Sequence, residues 1–266
     1  MERFVIKHFS QLVYDFCGLN FQNNLTTLES KIVKRLQTLN LTLWEYIKYL
    51  ERNPTEWDQV VEILTINETY FYREDHQLNE LIQNVLVEWK DRKTKPIKIW
   101  SAACSTGEEP YTLAMLIQET GLFAEGQIEI MATDINKKVL QLASQGTYSK
   151  RSLSFRRIPD YLLTKYFVET SDSFEVNQST KRMVHFRHLN LLDPLNMSKM
   201  MDFDIIFCRN VLIYFDQPTI FKVVSSFYQS LKNPGYLFLG HAENISTMKT
   251  GLQTVNRQNT FYYRKG

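Results

Sequence analysis

The chain has 266 residues, 44% apolar and 23% charged, with a net charge of +2. This is long enough for one large domain or two unequal ones, and the charge is too small for a dedicated nucleic-acid binder. Three scattered cysteines without CxxC spacing, a first segment unlike a signal peptide and no long apolar run together predict a cytoplasmic protein with reduced thiols and no membrane insertion.

From the start of the chain to about Trp89 the pattern is helical. Leu28, Ile32, Leu36 and Leu39 share one helical face, and Thr26 with Glu29 reads as a capping box. The runs "TLWEYIKYLE" and "PTEWDQVVEILT" predict two further helices, the second with Pro54 in its first turn. A longer helix is expected from about Asp75 to Lys93.

Strand-like and helical runs then alternate: "IKIWSA", "PYTLAMLIQET", "QIEIMATD", "NKKVLQLASQG", "FDIIFCR", "QPTIFKVVSSFYQSL" and "YLFLG". That alternation predicts an α/β, doubly wound, Rossmann-like parallel sheet. "NTFYYRK" is positioned to close it antiparallel. Between Gly146 and Asn190 the rhythm breaks into a short helix near "PDYLLTKYF" and two β-like runs, "SFEVN" and "RMVHFRHL". These predict a small antiparallel β-subdomain inserted over about 147–189. The expected division is an all-α domain over 1–67 and an α/β domain over 68–266.

The first strand runs into "STGEEPYTLAM", a strand-helix turn with one glycine, Gly107, and two acids, Glu108 and Glu109. A nicotinamide dinucleotide needs the G-x-G-x-x-G turn for its pyrophosphate, and that fingerprint is missing. S-adenosylmethionine has no phosphate and carries a cationic sulfonium and ammonium, which acids near Gly107 favour. One Glu can stabilise the helix N-terminus while the other faces the ligand. Asp134 ends the second strand, where it can accept ribose hydroxyls or cap the helix beginning near Asn136. Five histidines without metal-ligand spacing predict no metal site.

Five motifs in order, "NETYFYRE", "WSAACSTGEEPYTLAM", "ATDI", "FCRNVLIYFD" and "GHAEN", closely resemble the chemotaxis receptor glutamate methyltransferases, the CheR family. The resemblance covers nearly the whole chain. It implies the all-α domain, the S-adenosylmethionine-binding α/β domain and the inserted β-subdomain. It also implies methyl transfer to the γ-carboxylate of glutamates on methyl-accepting chemotaxis receptors, with S-adenosylhomocysteine as product.

By position, the resemblance carries cofactor contacts to Asn67, Thr69, Arg73, Glu109, Asp134, Asn190, Leu191, Asn210 and Val211. Arg73 and Tyr214 are the candidates for orienting the acceptor carboxylate, and His241 is expected to be structural. Lys31, Lys34 and Arg35, on one face of the second helix, are the candidate receptor-docking residues. Glu68 departs from the family pattern, where an apolar or small residue is common, and Ala242 replaces a common serine. Some relatives grip a receptor tail peptide through the β-subdomain, using a glycine turn. The glycine-free "VETSDSFEVNQSTKR" argues against that mode here. A monomer is expected. The alternatives are a methyltransferase of the same architecture acting on another protein or a small acid, and a non-catalytic S-adenosylmethionine-binding or docking module.

Overall fold

The computed structural model describes residues 2–91 and 96–266. Four helices form the first layer: α1 (Arg3–Cys17), α2 (Leu25–Leu39), α3 (Leu43–Arg52) and α4 (Trp57–Leu64). Phe9, Val13, Leu28, Ile32, Tyr46, Ile47 and Leu64 form their shared core. The cap of α2 is not at Thr26, as the capping-box pattern suggested. Asn24 stands outside the helix and its side chain accepts from the Thr27 amide, so Thr26 lies in the first turn. The reciprocal capping box belongs to α3, between Thr42 and Glu45.

Helix α5 (Asp75–Glu80) continues through a π turn (Leu81–Val85) and a 3-10 turn (Leu86–Trp89). The expected end near Lys93 lies outside the described residues. The α/β layer follows as β1 (Ile97–Ala102), α6 (Glu108–Thr120), β2 (Ile128–Asp134), α7 (Lys137–Gln145), β3 (Thr147–Ser149), α8 (Asp160–Tyr166), β4 (Phe167–Glu169) and β5 (Ser173–Val176). After these come α9 (Gln178–Arg182), β6 (Val184–His188), α10 (Pro194–Met197), β7 (Phe203–Cys208), α11 (Gln217–Ser230), β8 (Leu231–Leu239), β9 (Gln253–Asn256) and β10 (Phe261–Lys265).

Seven strands form one sheet in the order β6-β2-β1-β7-β8-β10-β9. The first five are parallel, and β10 runs antiparallel to both β8 and β9. All six residues of β7 are buried, the pattern of a central strand covered on both faces. The Rossmann-like α/β class, with an antiparallel strand closing the sheet, is therefore the observed one. The small sheet has the order β3-β5-β4 and is antiparallel.

One assignment is corrected. "RMVHFRHL" does not belong to the small sheet: its β6 pairs in parallel with β2, from Ile130↔Val184 to Asp134↔His188. The small sheet takes residues between 147 and 176. Its apolar side is a cluster of rings that includes Phe71, whose ring lies 4.9 Å from Tyr148, 5.4 Å from Phe155 and 5.1 Å from Phe167. Phe71 sits in the segment following α4, so the inserted sheet grips the same segment that carries Asn67 to Arg73.

Candidate active site

On either side of β1 the chain leaves in opposite directions, to β2 and to β7, which opens a crevice at the carboxyl ends of these strands. A cavity of about 420 Å³ occupies it, within the range of small-molecule sites. Asn67, Thr69, Arg73, Glu109, Asp134, Asn210, Val211 and Tyr214 all line it. Asn190 and Leu191 are not among its lining residues.

The turn after β1 explains the single glycine. Gly107 has φ +94°, and a Cβ there would lie 3.0 Å from the Ala143 Cβ. Ala103 (φ +58°) and Ser105 (φ +50°) are also left-handed, as are Tyr72, Glu74 and Asn210 at the facing loops. Of the seven non-glycine residues with positive φ among the described residues, Ala103, Ser105 and Asn210 line this cavity, and strained backbone of this kind is commonly found at functional sites.

The two acids of the turn diverge. Glu108 is buried away from the cavity, accepting from the hydroxyls of Thr106 (2.7 Å) and Ser154 (2.8 Å). Burial pushes its carboxyl up from the ordinary value, and those hydrogen bonds oppose the rise. Glu109 faces the cavity. It accepts from Ser101 Oγ (2.6 Å) and from Arg209 Nε (2.6 Å).

Asp134 does not cap α7, because the Asn136 side chain accepts from the Lys138 and Val139 amides. Asp134 instead accepts from the Ser105 amide at Oδ2 and the Asn136 amide at Oδ1, each at 2.8 Å. One lone pair per oxygen remains for ribose hydroxyls. Burial raises its pKa, and the amides pull against that rise.

Asn210 Oδ1 is buried without a hydrogen-bond partner. Such an orphan acceptor at a cavity wall fits a cationic donor such as the ligand's ammonium. With the acids and the apolar Ile135 and Val211 alongside, the donor set suits S-adenosylmethionine.

Comparison with known proteins agrees. Residues 67–261 match the model described as "CheR methyltransferase, SAM binding domain", and residues 6–65 match "CheR methyltransferase, all-alpha domain". The chain belongs to the CheR methyltransferase family. It is 36% identical to chemotaxis protein methyltransferase 2 of Vibrio cholerae, over 96% of this chain and 91% of that protein. It is also 36% identical to the chemotaxis protein methyltransferase of Escherichia coli, over 91% of this chain and 85% of that one. The corresponding figures for the Borreliella burgdorferi protein are 35%, 88% and 86%. The protein is therefore an S-adenosylmethionine-dependent methyltransferase of chemotaxis.

In this CheR methyltransferase, two residues outside the expected set organise the site. Arg209, its side chain 2% exposed, pairs with Glu109, donates to the Arg73 carbonyl at 2.7 Å and lies 3.6 Å from Glu74. Glu243, from the turn after β8, accepts from the amides of Gly240 (2.7 Å), Asn210 (2.8 Å), Val211 (2.7 Å) and Ile213 (3.3 Å). One carboxylate thus fixes the loop that carries Asn210, Val211 and Tyr214. Gly240 is needed for that approach, since a Cβ there would lie 2.8 Å from Glu243 Oε2.

The basic face of α2 does not act as one unit. The Arg35 fork holds Glu56 through two 2.8 Å bonds, and the Tyr46 hydroxyl donates to the same carboxylate. Lys31 lines the cavity and its Nζ donates to the Ile63 and Leu64 carbonyls at 3.4 and 3.3 Å. Lys34 is exposed. His241 lies outside the cavity, and no group of metal ligands occurs among the described residues. No helix among them is long and apolar enough to cross a membrane.

Proposed function

We propose that this enzyme methylates the γ-carboxylate of glutamates on the cytoplasmic helices of chemoreceptors, forming methyl esters and S-adenosylhomocysteine. The observation that supports this most is the lack of a poised general base among the residues lining the cavity. Histidine is not among them. Their carboxylates are engaged: Glu109 with Ser101 and Arg209, Asp134 with two amides, and Glu68 with Arg156 at 2.7 Å. A hydroxyl acceptor would need deprotonation. A glutamate, with a pKa of about 4.3, arrives ionised.

S-adenosylmethionine supplies a methyl group on cationic sulfur, open to in-line displacement. The chain's own task is to desolvate and aim the acceptor. Arg73 donates through Nη1 to the Glu68 carbonyl at 3.2 Å, and its guanidinium lies 5.4 Å from the Tyr70 ring. That anchoring leaves further N–H donors for a carboxylate oxygen. Tyr214 lines the same cavity. These two donors orient the acceptor, and Lys31 and Lys34 draw in its acidic helix.

Arg73→Ala tests the assignment, with a chemoreceptor cytoplasmic fragment as acceptor. The expected result is a fall in kcat of roughly a hundredfold while affinity for S-adenosylhomocysteine stays within about threefold of wild type. Equal losses in both would make Arg73 a cofactor ligand and remove its orienting role.

A further inference from the structure

The last turn of α1 is fastened to the α/β layer at three points. The Tyr14 hydroxyl donates to Asp216 Oδ2 at 2.9 Å and meets Thr219 Oγ1 at 3.1 Å. Asn190 Nδ2 donates to the Phe16 carbonyl at 2.6 Å, and Asn190 Oδ1 accepts from the Leu192 amide at 2.9 Å. Between these, Gly18 closes the helix with φ +76°. A Cβ there would lie 2.9 Å from Leu192 Cδ1, 3.0 Å from Thr219 Cγ2 and 3.1 Å from Phe215 Cε1. Any side chain larger than hydrogen would push the two layers apart.

Directly beyond this fastening the chain enters the cavity: Cys17, Leu19, Asn20 and Phe21 line it together with Ile135, Asp134 and Phe215. The all-α domain therefore supplies a wall of the site. Asp216 explains how that wall is set. It caps α11 by accepting from the Thr219 amide at 3.0 Å, and it follows the turn that carries Tyr214 and Phe215. Tyr14 thus reaches the cavity from two sides, through Leu19–Phe21 on its own chain segment and through Asp216 on the opposite one.

We propose that Tyr14 and Asn190 are positioning residues that fix the Cys17–Phe21 segment as a wall of the S-adenosylmethionine site, so that the all-α domain contributes to holding the cofactor as well as to meeting the receptor. The inference rests on this cavity being the S-adenosylmethionine site. Both ends of the Asn190 carboxamide are used between α1 and the loop after β6.

The test is calorimetric titration of S-adenosylhomocysteine into the full chain, with melting temperature measured on each variant. Tyr14→Phe keeps the ring and removes the hydroxyl, and its affinity is expected to fall about tenfold, the lower end of the range for one hydrogen bond to a charged acceptor. Asn190→Asp places an oxygen against the Phe16 carbonyl and is expected to weaken binding similarly.

In steady-state assays, the KM for S-adenosylmethionine rises in both variants and the KM for receptor does not. A lower melting temperature with unchanged affinity would reduce the fastening to a structural role and overturn the inference. So would a rise confined to the receptor KM. Wild-type protein that bound no S-adenosylhomocysteine would overturn the site's reading together with the inference, whereas wild-type binding matched by Tyr14→Phe would overturn the inference alone.

Discussion

Asp134→Ala is expected to lower affinity for S-adenosylhomocysteine by at least about a hundredfold, read by calorimetric titration. Two contributions lead to this. Asp134 is the buried acid at the end of β2 with one acceptor site free on each oxygen, and hydrogen bonds to a charged group contribute about 1.5–3 kcal/mol each. It also holds the amides of Ser105 and Asn136. Without it, both amides lose their partner, and the left-handed Ser105 loses the contact that fixes it. Asp134→Asn separates the two contributions, because the amide keeps one oxygen for the backbone and loses the charge. It should melt closer to wild type than the alanine variant and still bind weakly. Wild-type affinity in Asp134→Ala would remove this carboxylate from the site's chemistry.

Arg209→Met is expected to destabilise the protein by about 3–5 kcal/mol, the cost of leaving a buried charge without its partner. Glu109 and Glu74 would face each other across the space vacated by the guanidinium, their side chains 12% and 10% exposed. The Arg73 carbonyl would also lose its donor. Denaturant titration at neutral pH reads the loss directly. Arg209→Lys should recover only part of it, since an ammonium cannot place Nε on Glu109 and Nη1 on the Arg73 carbonyl at once. A loss under 1 kcal/mol in Arg209→Met would mean that the acids are solvated and that Arg209 does not organise the site.

These two residues show what the sequence made legible and what it did not. Asp134 was legible because its position depends on local grammar: an apolar strand, an acid at its end, a helix after it. The same grammar exposed the turn at Gly107 and the strands β1, β2, β7 and β8, whose buried runs announce themselves. Arg209 was harder to read because its partners, Glu109, Glu74 and the Arg73 carbonyl, come from distant parts of the chain. The available signal was a charged residue placed directly after six buried ones. Glu243 lay inside a motif that marked the family, yet its role depends on four amides, three of them in the loop after β7.

The misread elements have similar causes. The β6 run alternates like an outer strand, and nothing local distinguishes the edge of the large sheet from a place in the small one. Its burial, with Val184 buried and its last residues exposed, is that of an edge strand. Lys31, Lys34 and Arg35 share a helical face by spacing, but Glu56 neutralises Arg35 from another helix. Asn190 follows β6, and its side chain donates to the Phe16 carbonyl at the end of α1, a contact that no local pattern announces.

The central claim is transfer to a carboxylate, and one measurement addresses it most directly. Methyl-labelled S-adenosylmethionine is incubated with the enzyme and a chemoreceptor cytoplasmic fragment from the same organism, and the labelled receptor is then treated with mild alkali. Release of the label as methanol is the predicted result, because a glutamate methyl ester hydrolyses under those conditions. Label that stays on the receptor would contradict the account, placing the methyl group on nitrogen, sulfur or a hydroxyl and requiring a base that the cavity does not provide.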